Sequence, residues 1–336
     1  MGQKAKTLKD VSKASGLSLI TVSRALRQPE TVQPATREKV LRTIEAIGYV
    51  PNLTARSLVS NRSNMVGLVV PILSSSLFAD LAQGVAGVLH ERGLQMLLGV
   101  SERSSELESE AVRTFIGRQA DAIIVTGFTH TESCRSHLQA FSGPVVETWN
   151  LRADAVDIAV GYDNRRAAKE MTRYLIGRGY RRIALVGGAF ENNDQAEDRM
   201  AGFLSAMAEA GRSVPDDHVI SVPNPTTMES GYATMERLLA LDPAPDAVFF
   251  QAEIPAHGAV MACMAMGVAI PDRVAIAGFG DLKLSALLPV PLTTIRIKAE
   301  QIGETAARLV LDRLDGMEPD TRMVDVGYDL IIRESA

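Results

Sequence analysis

Covalent cross-links and membrane anchors are both scarce in this sequence. Two cysteines among 336 residues exclude a disulfide framework and suit a reducing compartment. No apolar run reaches the ~18 to 20 uninterrupted residues of a membrane span. The longest, such as Met65 to Leu73 and Ala247 to Phe250, have the length and aliphatic content of buried strands. Met1 to Leu8 is polar and basic without an apolar centre, so no secretory leader is expected. Gly187-Gly188 and Gly84-x-x-Gly87 are not G-x-G-x-x-G, and neither G-x-x-x-x-G-K-[ST] nor G-x-S-x-G occurs. The expectation is a soluble cytoplasmic chain that needs no cofactor and is not an enzyme. At 46% hydrophobic and 22% charged the composition excludes disorder and fibres, and the length predicts two or three domains.

A net charge of −5 argues at first against a nucleic-acid partner, but the charge is unevenly placed. Residues 1 to 64 carry eleven Lys/Arg against four acids, a surplus of +7. The remaining 24 bases and 36 acids leave −12 on the rest. A basic head on an acidic body points to a polyanion that meets the head alone.

The head reads as three helices. Thr7-Leu8-Lys9-Asp10 has the pattern of a capping box, and Leu8, Val11 and Ala14 share a face. Gly16 ends that helix in a sharp turn. Ser18 caps a second helix, Leu19 to Arg27, which turns Val22, Ala25 and Leu26 inward. The third starts at Pro34 and stops at Gly48. Helix, tight turn, helix and supporting helix is the helix-turn-helix arrangement. It leaves Ser18, Leu19, Ile20, Thr21, Ser23 and Arg24 for the major groove, where arginine forks onto guanine and aliphatic groups touch thymine methyls. Thr7, Ser23 and Lys39 are candidates for phosphate contacts. Pro51 to Leu58 reads either as a linker or as a hinge helix whose Leu58 enters the minor groove beside Asn52, Ala55 and Arg56.

The body alternates nine strand candidates, from Val66–Pro71 to Val274–Phe279, with amphipathic segments at Phe78–Glu91, Glu106–Gln119, Arg165–Arg178 and Met200–Ala210. That alternation predicts an α/β fold with two doubly wound parallel sheets. His90-Glu91-Arg92-Gly93-Leu94 and Gly177-Arg178-Gly179-Tyr180 look like a weak internal repeat in support of two sheets. Ligands of such sheets bind beyond the carboxyl ends of the strands. Ser75, Trp149, the polar loop Glu191 to Gln195 with Asn193 and Asp194, Arg199, Glu253 and Asp281 fall there. Trp149, the single tryptophan, offers a face to a sugar ring or else packs at a domain edge.

The head's motifs are specific. Asp10 to Arg24 carries D-V-x-x-x-x-G-x-S-x-x-T-V-S-R, followed by T-R-E-K-V at Thr36 to Val40 and G-Y-x-P-N at Gly48 to Asn52. The chain resembles the lactose-repressor/galactose-repressor (LacI/GalR) family of bacterial transcription regulators. D-I-A-V-G-Y-D-N at Asp157 to Asn164 and Arg178-Gly179-Tyr180 resemble its gluconate-utilisation repressor subgroup. The resemblance implies a head and hinge helix over residues 1–60 and a two-lobed, periplasmic-binding-protein-like body. Its N-terminal lobe would span 61–162 plus 292–322, and its C-terminal lobe 163–291 plus 323–336. It implies a homodimer, or a tetramer, that binds palindromic double-stranded operator DNA and no membrane, controlled by a small molecule held between the lobes. The family's effector residues carry over in part, as Arg199, Phe78 and Trp149. Its Asn-Asp after a central strand appears as Ala252-Glu253, and its Gly-Tyr-Asp as Gly278-Phe279-Gly280-Asp281. Those departures count against a neutral hexose, and with Arg199 retained a sugar acid such as gluconate, or a phosphorylated relative, is the expected effector.

Two other chemistries deserve weighing. His130, Cys134 and His137 would share one helix face and offer zinc three ligands, although incidental His and Cys on an exposed helix is the commoner outcome. Glu147 and Glu253 are the nearest thing to an acid/base pair, with nothing in the sequence to bring them together.

Overall fold

The computed structural model describes residues 6–50, 62–189, 193–222 and 227–336. The candidate hinge residues Asn52, Ala55, Arg56 and Leu58 lie outside them. Two units are distinguished, Met1–Ser63 and Asn64–Ala336.

In the first unit, α1 spans Leu8–Ser15, α2 Leu19–Arg27 and α3 Pro34–Ile47. The Asp10 carboxylate accepts from the Thr7 N–H and from its hydroxyl, both at 2.8 Å. Gly16 ends α1 at φ 68°, a left-handed conformation that glycine adopts without a Cβ penalty. Ser18 Oγ accepts from the Thr21 N–H at 3.1 Å and so starts α2. The inward positions of the three helices converge: Val11, Val22, Ala25 and Val40 are buried together, with Leu8, Leu17, Leu26, Ile44 and Ile47 around them.

The second unit holds β1 (Met65–Val70), β2 (Gln95–Val100), β3 (Ala122–Thr126), β4 (Val145–Thr148), β5 (Ile158–Gly161) and β6 (Ile183–Gly187). There follow β7 (Val219–Ser221), β8 (Ala247–Phe250), β9 (Ala275–Gly280), β10 (Thr293–Ile297), β11 (Met323–Asp325) and β12 (Tyr328–Ile331). Between them run α4 (Ser76–Glu91), α5 (Ser105–Gly117), α6 (Glu132–Ala140), α7 (Asn164–Gly177), α8 (Asp194–Glu209), α9 (Met228–Leu239), α10 (Glu253–Ala265) and α11 (Ala299–Leu314). One sheet has the order β11-β5-β4-β3-β1-β2 and the other β12-β10-β9-β8-β6-β7. All pairs are parallel except β10 with β12. Each order reverses once, between β1 and β3 and between β6 and β8, and those reversals are where doubly wound sheets open a crevice. Where α9 crosses α10, the backbones nearly touch: a Cβ on Gly231 would lie 1.9 Å from the Pro255 carbonyl oxygen, and one on Gly258 1.9 Å from that of Met228. Among the described residues no helix is long and apolar enough to cross a membrane.

Three expectations change. Strand β10, placed by the expected boundaries in the N-terminal lobe, pairs with β9 in the second sheet, and β11, placed in the C-terminal lobe, pairs with β5 in the first. The chain crosses between lobes around these short strands, and their apolar pattern fits either sheet. Helix α8 begins at Asp194 rather than Met200, because Asn193 caps it by accepting from the Ala196 N–H at 3.2 Å. The apparent internal repeat marks helix ends, not equivalent steps of the lobes. Gly93 and Gly179 both have positive φ, but one precedes an edge strand and the other a central one.

Candidate functional site

On α2 the polar and apolar faces separate cleanly. Ser18, Leu19, Ile20 and Arg24 are exposed, Thr21 and Ser23 half-buried, while Val22 and Ala25 point inward. Ile20 stands 71% exposed, an apolar side chain that this fold leaves in water at the start of a helix. Thr7 and Lys39 are exposed as well.

In the body, a cavity of about 320 Å³ opens beyond the carboxyl ends of both sheets. Ser101, Arg103, Thr126 and Gly127 line it from the first sheet, and Asn193 and Asp194 from the second. Asp194 ties the two sides together. Its Oδ1 accepts from the Phe128 N–H at 3.2 Å and the Thr129 hydroxyl at 3.3 Å, and its Oδ2 from Asn150 Nδ2 at 2.8 Å. Asn150 also donates to Asp198 at 2.7 Å, and Arg152 pairs with Asp198 at 3.3 Å. Glu106 accepts from the Ser104 hydroxyl at 2.8 Å, and Glu108 is engaged by His130. The carboxylates around the cavity therefore have donors from the protein itself.

The arginines do not have matching acids. Arg199, on α8, is buried. It donates from Nη1 to Asn164 at 3.0 Å, stands 4.8 Å over the Phe279 ring, and its Nε has no partner. Burial holds its guanidinium below the usual arginine range, against the opposing pull of Tyr162 and Asp194. Protein packed around the Arg103 guanidinium lowers its pKa in the same way, and the positive Arg199 adds to the shift. Among the described residues neither arginine forms a salt bridge with a carboxylate. The Tyr162 hydroxyl and the Gln251 side-chain amide, both at strand ends, are also buried without hydrogen-bond partners. Buried polar groups that the fold leaves unpaired are costly, and here they are Arg199 Nε on α8 and, at strand ends, the Tyr162 hydroxyl and the Gln251 amide.

Residues 7–52 match the lacI family of bacterial regulatory proteins, and residues 172–336 match a periplasmic binding protein-like domain. The chain is 33% identical over 329 residues to the HTH-type transcriptional regulator GntR of Pseudomonas aeruginosa, covering 98% of this chain and 95% of that protein. It belongs to the lacI family. The GntR regulator of Escherichia coli K12 is 31% identical over 330 residues, 98% of either chain. A lacI-family transcriptional regulator from Silicibacter pomeroyi superposes with a TM-score of 0.92 at 30% identity, covering 98% of this chain and 99% of the other. This lacI-family member is accordingly a DNA-binding transcriptional regulator, with α2 in the position of the recognition helix and the cavity between its two lobes.

The expected effector residues fall into three groups in this regulator. Asn193 and Asp194 line the cavity and Arg199 lies on the same helix. Phe78 and Trp149 pack on each other, ring centres 4.8 Å apart, so the tryptophan face is covered by Phe78 rather than open. Trp149 nonetheless adopts φ 82°, a strained conformation for a bulky residue, and Asn164 Nδ2 holds its carbonyl at 2.9 Å. Ser75 is buried just ahead of α4. The carboxylates of Asp281 and Glu253 are committed elsewhere. Asp281 pairs with Arg296 at 2.7 Å and Arg333 at 2.8 Å. Glu253 accepts from the Ser285 hydroxyl and, at 2.7 Å, from that of Thr294, while His257 Nε2 lies 2.8 Å from Ser285 Oγ. Arg103 was not among the expected residues: it sits in a loop after a strand, and only the fold brings it beside Arg199. Glu147, in β4 of the first lobe, and Glu253, at the start of α10 in the second, are each enclosed by their own partners and form no acid/base pair.

The Glu253 cluster has a consequence for pH. Burial pushes Glu253 up to about 7 from 4.5, against the hydroxyls that lower it, and burial pushes His257 down to about 4. An acid with a raised folded pKa loses stability as pH rises from its unfolded value to its folded one, because the unfolded chain ionises first. His257 works oppositely over nearly the same range, costing stability as pH falls from 6.5 toward 4. Glu253→Gln removes the first effect alone. The variant's unfolding free energy, followed by urea titration, should rise relative to wild type by about 3 kcal/mol between pH 4.5 and 7, at ~1.4 kcal/mol per pKa unit. A constant difference across that range would refute the assignment.

Proposed function

We propose that this regulator binds a palindromic operator as a homodimer in the cytoplasm and is controlled by a sugar acid, or a phosphorylated relative, held in the interlobe cavity. The observation that carries the ligand class is the pair Arg103 and Arg199. The Arg103 side chain lines the cavity, the Arg199 guanidinium lies close enough to act on its charge, and the cavity's carboxylates are already engaged by protein donors. An anion with several hydroxyls meets both needs: its charge offsets the arginines, and its oxygens match the hydrogen-bonding groups that Arg199, Tyr162 and Gln251 leave unpaired. The functional lobes in this reading are residues 64–162 with α11 and β11, and residues 163–291 with β10 and β12. Effector binding changes how the lobes close across Asp194, and with that the spacing of the two heads.

Calorimetry of the purified chain with gluconate, 6-phosphogluconate, glucose and glucose 6-phosphate separates the alternatives. An acid should bind and glucose should not. Binding of glucose with no binding of either acid would overturn the ligand class.

On DNA, Ser18, Leu19, Ile20, Thr21 and Arg24 face base edges, while Thr7, Ser23 and Lys39 hold phosphates. Arg24→Ala should cost about 1–3 kcal/mol on operator DNA and relax base preference at one position of each half-site. Lys39→Ala should weaken all sequences alike and reduce the slope of log K against log salt by about 1. Filter-binding titrations at several salt concentrations distinguish the two. Equal behaviour of the variants on operator and random DNA would remove the base-reading role of Arg24.

A further inference from the structure

At the edge of the interlobe cavity, where Glu108 forms part of the lining, the first lobe gathers four chemically reactive side chains. Glu108 comes from α5, His130 from the segment ahead of α6, Cys134 from the first turn of α6 and Glu147 from β4. His130 Nδ1 lies 2.5 Å from Glu108 Oε1, and Cys134 Sγ donates to the same oxygen at 3.6 Å. One donor atom from each of Glu108, His130 and Cys134 fits within 4.8 Å of the others. All three side chains are almost wholly buried, as is Glu147. The expected helix face of His130, Cys134 and His137 is not what forms. His130 precedes the helix, Cys134 is buried rather than exposed, and Glu108 takes the third place.

We propose that Glu108, His130 and Cys134 form a binding site for one zinc-class divalent cation, with Glu147 as the residue that orients His130. A thiol, an imidazole and a carboxylate from three separate stretches are the N, S and O donors that zinc selects. Tetrahedral zinc holds such atoms about 3.3–3.7 Å apart, so Glu108 must draw back from His130 by only about 1 Å. The nitrogen of His130 that does not face Glu108 lies 3.2 Å from Glu147 Oε1. That is the carboxylate–imidazole arrangement that fixes the tautomer of a metal-binding histidine. Glu147 is itself fixed, since its other oxygen accepts from the Val156 N–H. Cys134 is held by its backbone, whose N–H donates to Thr131 Oγ1 at 3.1 Å. A purely proton-sharing network would use the thiol only as a weak donor to Glu108 at 3.6 Å, and zinc uptake separates that arrangement from a metal site. Glu108 also borders the interlobe cavity, which supplies an entry route and room for water as a fourth ligand.

Untagged full-length protein, stripped by chelator and titrated with zinc alone against a chromophoric chelator, should take up one equivalent per chain. Cobalt in place of zinc should give a thiolate-to-metal absorption band. Cys134→Ser keeps the shape of the site and retains Cys263 elsewhere, so it should lose that band and weaken zinc binding at least tenfold. Glu147→Gln should weaken it about 10- to 100-fold while keeping the band. His137→Gln should change neither. Failure of the wild-type chain to retain an equivalent of zinc overturns the proposal, and so does uptake with an unchanged cobalt spectrum in Cys134→Ser.

Discussion

Arg199→Leu should lower the affinity for an acidic effector about a hundredfold while leaving effector-free operator binding within about twofold of wild type. The size follows from the site. A desolvated charge pair lost from one side costs about 2–5 kcal/mol, and each ~1.4 kcal/mol is tenfold. Leucine retains the contact with Phe279 that the guanidinium now makes, so packing is largely preserved and the loss reports charge and hydrogen bonding. Arg199→Lys keeps the charge but not the fork and should fall in between. Arg103→Ala should show a smaller loss, because that residue keeps surface in contact with solvent. Calorimetry of the three variants checks the order. Equal affinity of wild type and Arg199→Leu for the acid would place the anion elsewhere.

Val22→Asp should abolish operator binding altogether while effector affinity stays unchanged. Val22 is fully buried, and the core around it has only three other fully enclosed side chains, Val11, Ala25 and Val40. A carboxylate there has no donor within the core, and an unpaired buried charge costs several kcal/mol even after its pKa adjusts. A three-helix unit of this size has little stability in reserve, so the head should unfold. The body has its own cores and should keep its melting temperature. Differential scanning calorimetry together with a gel shift reads both units. Simultaneous loss of effector binding would show that the two units do not fold independently.

The head was legible in the sequence because each of its signals is local. A cap at Ser18, a glycine at position 16 and inward-facing Val22 and Ala25 are all set within a few residues. In the body, strand-length apolar runs predicted nine of the twelve strands. Of the last three, which were not predicted, β11 and β12 are short, partly exposed edge strands. Strand β10 is buried between β12 and β9 but follows a proline-rich stretch with a threonine pair rather than an aliphatic run. The lobe assignment of β10 and β11 depends on crossovers that no local pattern records. At the cavity, Arg199 was legible through the family resemblance, whereas Arg103 and Glu108 were not, since each becomes significant only through partners nearly a hundred residues away or behind another element. Glu253 and Asp281 illustrate the reverse failure. Their strand-end positions suggested ligand contacts, but Ser285, Thr294, Arg296 and Arg333 approach from later in the chain and occupy them.

Charge follows the same division. The surplus of +7 lies on the unit that carries the recognition helix, and the −12 lies on the unit that carries the cavity. A basic surface attracts phosphate and an acidic one disfavours it, so the proposed DNA contact falls on the unit with the positive surplus.

One titration joins ligand, cavity and head most directly: fluorescence anisotropy of a labelled operator duplex with the full chain, with and without saturating aldonate. Coupling between sites of this kind is worth about 1–3 kcal/mol. Operator affinity should therefore change at least about fivefold with aldonate, in one direction only, and Arg199→Leu should remove the change without altering affinity in its absence. An operator affinity indifferent to every sugar acid, in a chain that still binds the operator, would contradict an acid-sensing regulator.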